Sequence, residues 1–398
     1  MLRRALKLFG RSEEEHEPEP PSRAAMVLSG GGARAAYQAG VVSYMAEELP
    51  DAHFPILNGV SAGAINAAHL ANHPASFQHA AERLVDCWRD LSTDKVFRAR
   101  SGMKMLWNFL RHAAQEGDGP EGEEWHALLD TAPLRDFLKE KLHTSDGVLR
   151  GVAENMDEDN LRAFSVVTTN YTTGQTVTWV QGNDIRMWER PNRVSRNAQL
   201  TVDHVMASTA LPLLFPAVRL DGAWYGDGGI RLDAPLAPAI HLGADRIFVV
   251  STRYGRSREE AERPAVHGYP PPAQIIGLLA NALFLDVLDQ DAEMMQRINR
   301  LAEQLPPEKR GSVRPIRMLV VRPSVDLGKL SGEYESSLPA SYRFVARGLG
   351  TRETESPDWL SMLLFENDYI DRLLEIGYQD ARRQHDEIET FLHGDAPS

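Results

Sequence analysis

The chain has 398 residues, 42% of them hydrophobic, which is enough for one large α/β domain with additions. Its formal net charge of −13 argues against nucleic acid as a partner and against general attraction to an anionic membrane. The single cysteine, Cys87, excludes an internal disulfide framework and is typical of a reducing compartment. These features predict a cytoplasmic protein.

Residues 1–23 are expected to lie outside the folded domain. The first ten residues combine Arg3, Arg4 and Lys7 with leucines, which fits either a short interfacial helix at the inner membrane surface or a frayed terminus. Of these two, the frayed terminus is preferred. Residues 12–21 are acidic and rich in proline, as in a disordered linker. No apolar stretch in the sequence reaches the length of a membrane span.

A glycine-rich turn follows the first predicted strand, residues 24–29, and precedes a helix predicted over 33–49. It reads Ser29-Gly30-Gly31-Gly32-Ala33-Arg34. One interpretation is a dinucleotide fingerprint, which requires an acidic residue at the end of the second strand. That strand, predicted over 53–57, leads into Asn58 and Gly59, so this interpretation is disfavoured.

The alternative is an oxyanion hole. Three adjacent glycines let backbone N–H groups approach a negatively charged oxygen without obstruction by side chains. The sequence therefore predicts this role for Gly30, Gly31 and Gly32. Arg34, in the first helical turn, would orient the loop or add positive potential, or would simply be a solvated helix residue.

A G-x-S-x-G pattern, Gly59-Val60-Ser61-Ala62-Gly63, lies between the second strand and a helix predicted over 62–72. A serine in this position sits on a sharp turn, where Gly59 and Gly63 leave room for close backbones. The helix N-terminus also favours developing negative charge at Ser61. The competing interpretation is a glycine turn whose serine only caps the helix.

A base must take the proton from Ser61, and the sequence offers Asp227-Gly228-Gly229 after an apolar run that starts at Trp224. The glycines Gly228 and Gly229 would expose the carboxylate at a strand end, and a dry pocket would raise its pKa. None of the 13 histidines has a local sequence that marks it as a triad partner. By itself, Asp-Gly-Gly is more typical of an ordinary turn than of a catalytic base.

The remaining predicted elements indicate a mostly parallel sheet flanked by helices. They are largely helical structure over 76–141 with a polar loop at 115–122, a hairpin of strands 163–170 and 175–180, a short helix over 235–242, a strand over 245–251, one long helix over 271–305, a last strand over 316–321, and helical structure over 358–392.

Together these motifs resemble the patatin-like phospholipase family. The resemblance covers about residues 24–321 and includes a fourth stretch, Ala207-Ser208-Thr209-Ala210-Leu211-Pro212-Leu213-Leu214-Phe215-Pro216, before the aspartate. Ala35 departs from the glycine that many members carry. The resemblance implies a three-layer α/β hydrolase domain over 24–325 with a helical C-terminal extension over 326–398.

The resemblance also implies a chemistry. Ser61 would be the nucleophile and Asp227 the general base of a serine–aspartate dyad, with the Gly30 to Gly32 loop as oxyanion hole. The substrate would be a lipid ester, cleaved through an acyl-serine without metal or cofactor. The alternatives are a catalytically silent lipid-binding or regulatory protein on the same fold and, less favoured, a dinucleotide-binding protein. Head group, acyl chain and oligomeric state are not predicted.

Overall fold

A computed structural model describes residues 23–74, 76–99, 127–262, 269–270, 272–284, 286–306, 309–310, 313–338 and 358–393. The predicted N-terminal segment, the linker and the polar loop over 115–122 lie outside these residues.

Twelve strands occur in the described part of the chain. They are β1 (Ala24–Leu28), β2 (Ile56–Val60), β3 (Arg98–Ala99), β4 (Leu129–Asp130), β5 (Ala163–Asn170), β6 (Thr176–Gly182), β7 (Glu189–Arg190), β8 (Arg193–Asn197), β9 (Val218–Leu220), β10 (Ala223–Asp227), β11 (Arg246–Val250) and β12 (Arg317–Val321).

The helices surround these strands. They are α1 (Ala36–Glu48), α2 (Ala62–Asn72), α3 (Phe77–Arg89), α4 (Thr93–Val96), α5 (Ala132–Lys141), α6 (Arg150–Asp157), α7 (Val202–Ser208), α8 (Ala237–His241), α9 (Arg258–Ala261), α10 (Pro272–Phe284), α11 (Asp286–Glu303), α12 (Leu327–Glu333), α13 (Asp358–Leu363), α14 (Asn367–Arg383) and α15 (His385–His393). Short 3-10 turns cover Gly32–Ala35, Gly228–Arg231 and Glu335–Ser337.

One large sheet has the strand order β12-β11-β1-β2-β5-β6-β8-β7. The five strands from β12 to β5 run parallel, whereas β6 and β10 are antiparallel to β5. The central strands β1 and β11 are almost continuously apolar, as expected of parallel strands that are covered on both faces. The predicted fold class is therefore confirmed.

The sheet separates two hydrophobic clusters, which makes three layers. Along β1, Met26 and Leu28 contribute to the larger cluster with α1, α2 and α14. Ala25 and Val27 alternate with them and contribute to the smaller cluster with α8 and α11. This alternation follows from the period of two residues in a strand.

The C-terminal helices belong to the larger cluster, and α14 packs closely on α1. Glycines make this approach feasible. A Cβ on Gly40 would overlap the Leu374 carbonyl, and one on Gly377 would overlap the Tyr37 carbonyl. The two helix backbones therefore touch, with no side chain between them.

Several elements differ from expectation. The second strand covers Ile56–Val60 rather than 53–57, because Pro55 precedes it and Gly59 is itself a strand residue. The region after α3 also contains the β3–β4 pair, and helix α6 was not predicted. The predicted long helix corresponds to α10 and α11, and the residue between them lies outside the described part.

Gly40→Ala is expected to destabilise the fold although alanine is the better helix former. The new methyl would meet a backbone carbonyl, which no rotamer change relieves, so we expect a loss of about 2–3 kcal/mol in the free energy of unfolding. Urea denaturation measures it. Gly255→Ala is the control, since the nearest atom to its Cβ lies 4.0 Å away. Equal midpoints for Gly40→Ala and the parent would contradict the close packing.

Candidate active site

Ser61 lies on a sharp turn between β2 and α2, with φ 54° and ψ −132°. This left-handed conformation is strained for a residue with a side chain and is common at functional sites. The flanking glycines are needed, because a Cβ on Gly59 would lie 2.6 Å from Ala64 Cα and one on Gly63 would overlap the Leu28 carbonyl. The backbone has the geometry of a nucleophile elbow.

The register of β5 brings Asp227 to Ser61. Strand β2 pairs with the first part of β5 and ends where Val60 faces Val167. Strand β10 pairs antiparallel with the next residues of β5, so that Asp227 faces Thr168. Because β6 occupies the other flank of β5, β2 and β10 share one flank and meet end to end. Residues 166 positions apart in sequence thereby become neighbours.

Ser61 Oγ donates a hydrogen bond of 2.6 Å to Asp227 Oδ2. The other carboxylate oxygen accepts from the Gly229 amide at 2.8 Å. Asp227 is fully buried, and this loss of solvation raises its pKa to about 7, although both hydrogen bonds favour the ionised form. A carboxyl group with this pKa can exchange a proton with a serine near neutral pH.

Other contacts place Asp227 at the end of β10. Its amide donates to the Ala210 carbonyl, and its carbonyl accepts from Thr169 Oγ1. The glycine at position 228 is required, because a Cβ there would overlap the Val167 carbonyl. Within the described residues, no histidine hydrogen-bonds to Ser61 or Asp227.

The glycine loop lies beside the serine. A Cβ on Gly30 would come within 3.0 Å of Ser61 Cβ and 3.7 Å of Ser61 Oγ. Gly31 and Gly32 have φ angles of 148° and 58°, which favour glycine. Among the described residues, no hydrogen bond uses the amides of Gly30 or Gly31.

Arg34 is buried and turned away from Ser61. Its Nη2 contacts Asp358 Oδ1 at 2.6 Å, and its Nε donates to Ser361 Oγ at 2.5 Å. Two functional roles were predicted for Arg34. Orienting the glycine loop fits these contacts, whereas supplying positive potential does not, because the guanidinium charge is paired with a carboxylate. Arg34 ties the glycine loop to α13.

A buried polar network supports the loop from behind, and the sequence analysis did not identify it. Gln38 Nε2 donates to the carbonyls of Ser29 and Val250, and its amide oxygen accepts from Asn66. The amide oxygen of Asn66 in turn accepts from Trp88 Nε1 at 2.7 Å. Gln38 and Asn66 each interrupt an otherwise apolar stretch at the start of α1 and α2, and that contrast was the available signal.

Ser208 is a second residue that sequence reasoning missed, although it stands in the fourth stretch. Its Oγ accepts from the Ser61 amide at 2.9 Å and donates to the Val167 carbonyl at 2.6 Å. The bond satisfies the amide of a strained, buried residue. The same segment holds the base, because Ala210 accepts from the Asp227 amide.

An apolar cavity of about 30 Å³ adjoins Ser61. Its walls come from α2 and α3, from the segment around Leu211, and from the C-terminal residues Met362, Leu363 and Phe365.

Every helix in the described residues is too short or too polar to span a bilayer.

The fold and the placement of Ser61 define a three-layer α/β protein with a nucleophile-elbow turn between a strand and a helix. The model of the patatin-like phospholipase family matches residues 26–240. The chain belongs to this family. A cGAMP-activated phospholipase from Pseudomonas aeruginosa is 26% identical over 225 residues, which is 56% of this chain and 56% of that protein. The chain thus matches about half the length of this relative.

Solved structures share the arrangement only loosely. Human GIVD cytosolic phospholipase A2 matches 93% of this chain and 59% of its own, with 13% identity and a TM-score of 0.44. VipD from Legionella pneumophila matches 89% of this chain and 67% of its own, with 15% identity and a TM-score of 0.32.

Ser208→Ala is expected to weaken both the elbow and the reactivity of Ser61. The Ser61 amide would remain buried without an acceptor, which should lower the free energy of unfolding by about 1–3 kcal/mol. Labelling of Ser61 by a fluorophosphonate should slow about tenfold or more, because the strained turn can relax. Ser331→Ala removes an equally buried serine hydroxyl far from the elbow and serves as control. Parental labelling rates in Ser208→Ala would refute this role.

Proposed function

We propose that this protein is a serine acyl hydrolase that cleaves carboxylic esters of lipids, as a phospholipase A or lysophospholipase does. The observation that carries the proposal is the 2.6 Å hydrogen bond from Ser61 Oγ to the buried carboxylate of Asp227. Membership of the patatin-like phospholipase family supports the substrate class. The apolar cavity beside Ser61 supports an acyl chain rather than a polar acyl group.

In the acylation step, Ser61 Oγ attacks the ester carbonyl while Asp227 Oδ2 takes the serine proton. The carbonyl oxygen becomes negative and is stabilised by the backbone amides of the loop Gly30 to Gly32. Collapse of the tetrahedral intermediate breaks the ester bond, and Asp227 returns its proton to the departing alcohol. Ser61 then carries the acyl group.

Deacylation repeats the step with water as the nucleophile. Asp227 takes a proton from the water, whose oxygen attacks the acyl carbon, and the amides of the loop again stabilise the negative oxygen. The proton passes to Ser61 Oγ as a free carboxylic acid leaves.

The proposed location of the protein is the cytoplasm, since Cys87 is a buried free thiol.

Ser61→Ala should abolish hydrolysis while the protein stays folded. The change removes one oxygen and relieves no packing, so circular dichroism and the melting temperature should remain close to those of the parent. Turnover of a panel of phospholipid, lysophospholipid and glyceride esters should fall at least about 1,000-fold, because no nucleophile remains. Fluorophosphonate labelling should disappear with it. Undiminished turnover by this variant would exclude the proposed nucleophile.

The pH dependence of hydrolysis should follow the ionisation of the buried carboxyl group of Asp227. Asp227 accepts a proton only when it is ionised, and its raised pKa of about 7 means that the neutral form predominates in acid. We therefore expect kcat/KM to rise about tenfold per pH unit below pH 7 and to level off above it. Asp227→Asn should lose activity at every pH. An acid limb centred near pH 4 would indicate a different, solvated base.

A further inference from the structure

The cavity beside Ser61 is narrow. Only 3% of the Ser61 surface is exposed, and about 30 Å³ of space adjoins it. Pockets that hold a small organic ligand are typically about 300–1,000 Å³. A lipid acyl chain can therefore reach Ser61 only after part of the covering structure moves.

The C-terminal segment around α13 forms part of that cover. Met362, Leu363 and Phe365 line the cavity, and the Met362 carbonyl lies so close to Gly32 that a Cβ there would overlap it. Because α13 rests directly on the glycine loop, moving it would uncover the nucleophile and the loop together.

Helix α10 packs on α13 and exposes an apolar face. Among the α10 residues whose side chains are described, Gly277 is buried beside Asp358, and Asn281 donates to Asp358 Oδ2 at 2.7 Å. On the opposite side, Ile275, Leu278 and Leu279 are exposed to solvent. A helix that served only the fold would bury such apolar side chains.

One carboxylate connects this helix to the site. Asp358 accepts from Asn281 of α10 through Oδ2 and from Arg34 of the glycine loop through Oδ1. Helix α10 also packs against the turn Gly228–Arg231, which directly follows Asp227. A displacement of α10 would therefore act on both sides of the nucleophile.

We propose that the outer face of α10, formed by Ile275, Leu278 and Leu279, docks on a lipid layer and that docking draws α10 and α13 away from Ser61. The inference rests on the proposed function, since the lipid layer would supply the substrate. The 13 residues of α10 include no ionisable side chain, so insertion among acyl chains desolvates no charge.

Two further considerations favour a lipid layer as the partner of this face of α10. A stable protein partner or a second copy usually needs about 20–30 residues on each side, far more than three side chains of one helix. The net charge of −13 favours a zwitterionic surface over an anionic one. Phosphatidylcholine is therefore the lipid of choice for the test.

The double variant Leu278→Ser/Leu279→Ser tests the docking face. Both leucines are more than half exposed, so the fold should be unaffected, and a parental melting curve verifies it. In sedimentation with phosphatidylcholine vesicles we expect roughly 100-fold weaker binding than for the parent. Met294→Ser/Leu301→Ser is the matched control, since it removes two equally exposed apolar side chains from α11 and should bind as the parent does.

Turnover of a water-soluble short-chain ester separates docking from chemistry. Vesicles of non-hydrolysable diether phosphatidylcholine should accelerate this turnover by the parent several-fold and leave the double variant at its basal rate. Equal vesicle binding by parent and double variant would overturn the proposal. So would a dimer that the double variant dissociates, because the face would then join two copies. Failure of the proposed function gives a different result from failure of the docking proposal. In that case Ser61→Ala would hydrolyse the soluble ester as fast as the parent does.

Discussion

The site depends on one flank of strand β5. Strand β2 ends beside Val167 and β10 ends beside Thr168, and these adjacent positions bring Ser61 and Asp227 within a single hydrogen bond. Ser208 adds a third contact on the same strand, because its hydroxyl bridges the Ser61 amide and the Val167 carbonyl. Shifting β10 by one residue would turn the Asp227 side chain to the opposite face of the sheet.

Burial of Asp227 links function to stability. Its folded pKa of about 7 lies above the ordinary value of 3.8, so the neutral carboxyl favours folding, and that stabilisation is lost as pH rises from about 4 through 7. The ionised base at neutral pH is therefore the less stable form of the fold. The hydrogen bonds from Ser61 and Gly229 to the carboxylate oxygens offset part of this destabilisation, because they favour the ionised form.

The C-terminal helices connect the cover to the core. Helix α14 is held on α1 by backbone contact at Gly40 and Gly377. Helix α13 buries Leu360 in the same core and is also joined to Arg34 and Asn281 through Asp358. Apolar packing and polar bonds therefore act together to hold α13 over the glycine loop.

The sequence by itself determined the parallel sheet and the candidate dyad. Apolar runs such as those of β1 and β11 have few alternatives to a buried strand, and Ser61 and Asp227 each stand in a short glycine motif. Only the tertiary structure decided that Arg34 pairs with Asp358, that Ser208 accepts from the Ser61 amide, and that Leu278 and Leu279 of α10 face outward. These contacts join residues far apart in the chain, and local patterns carry no information about which distant groups meet.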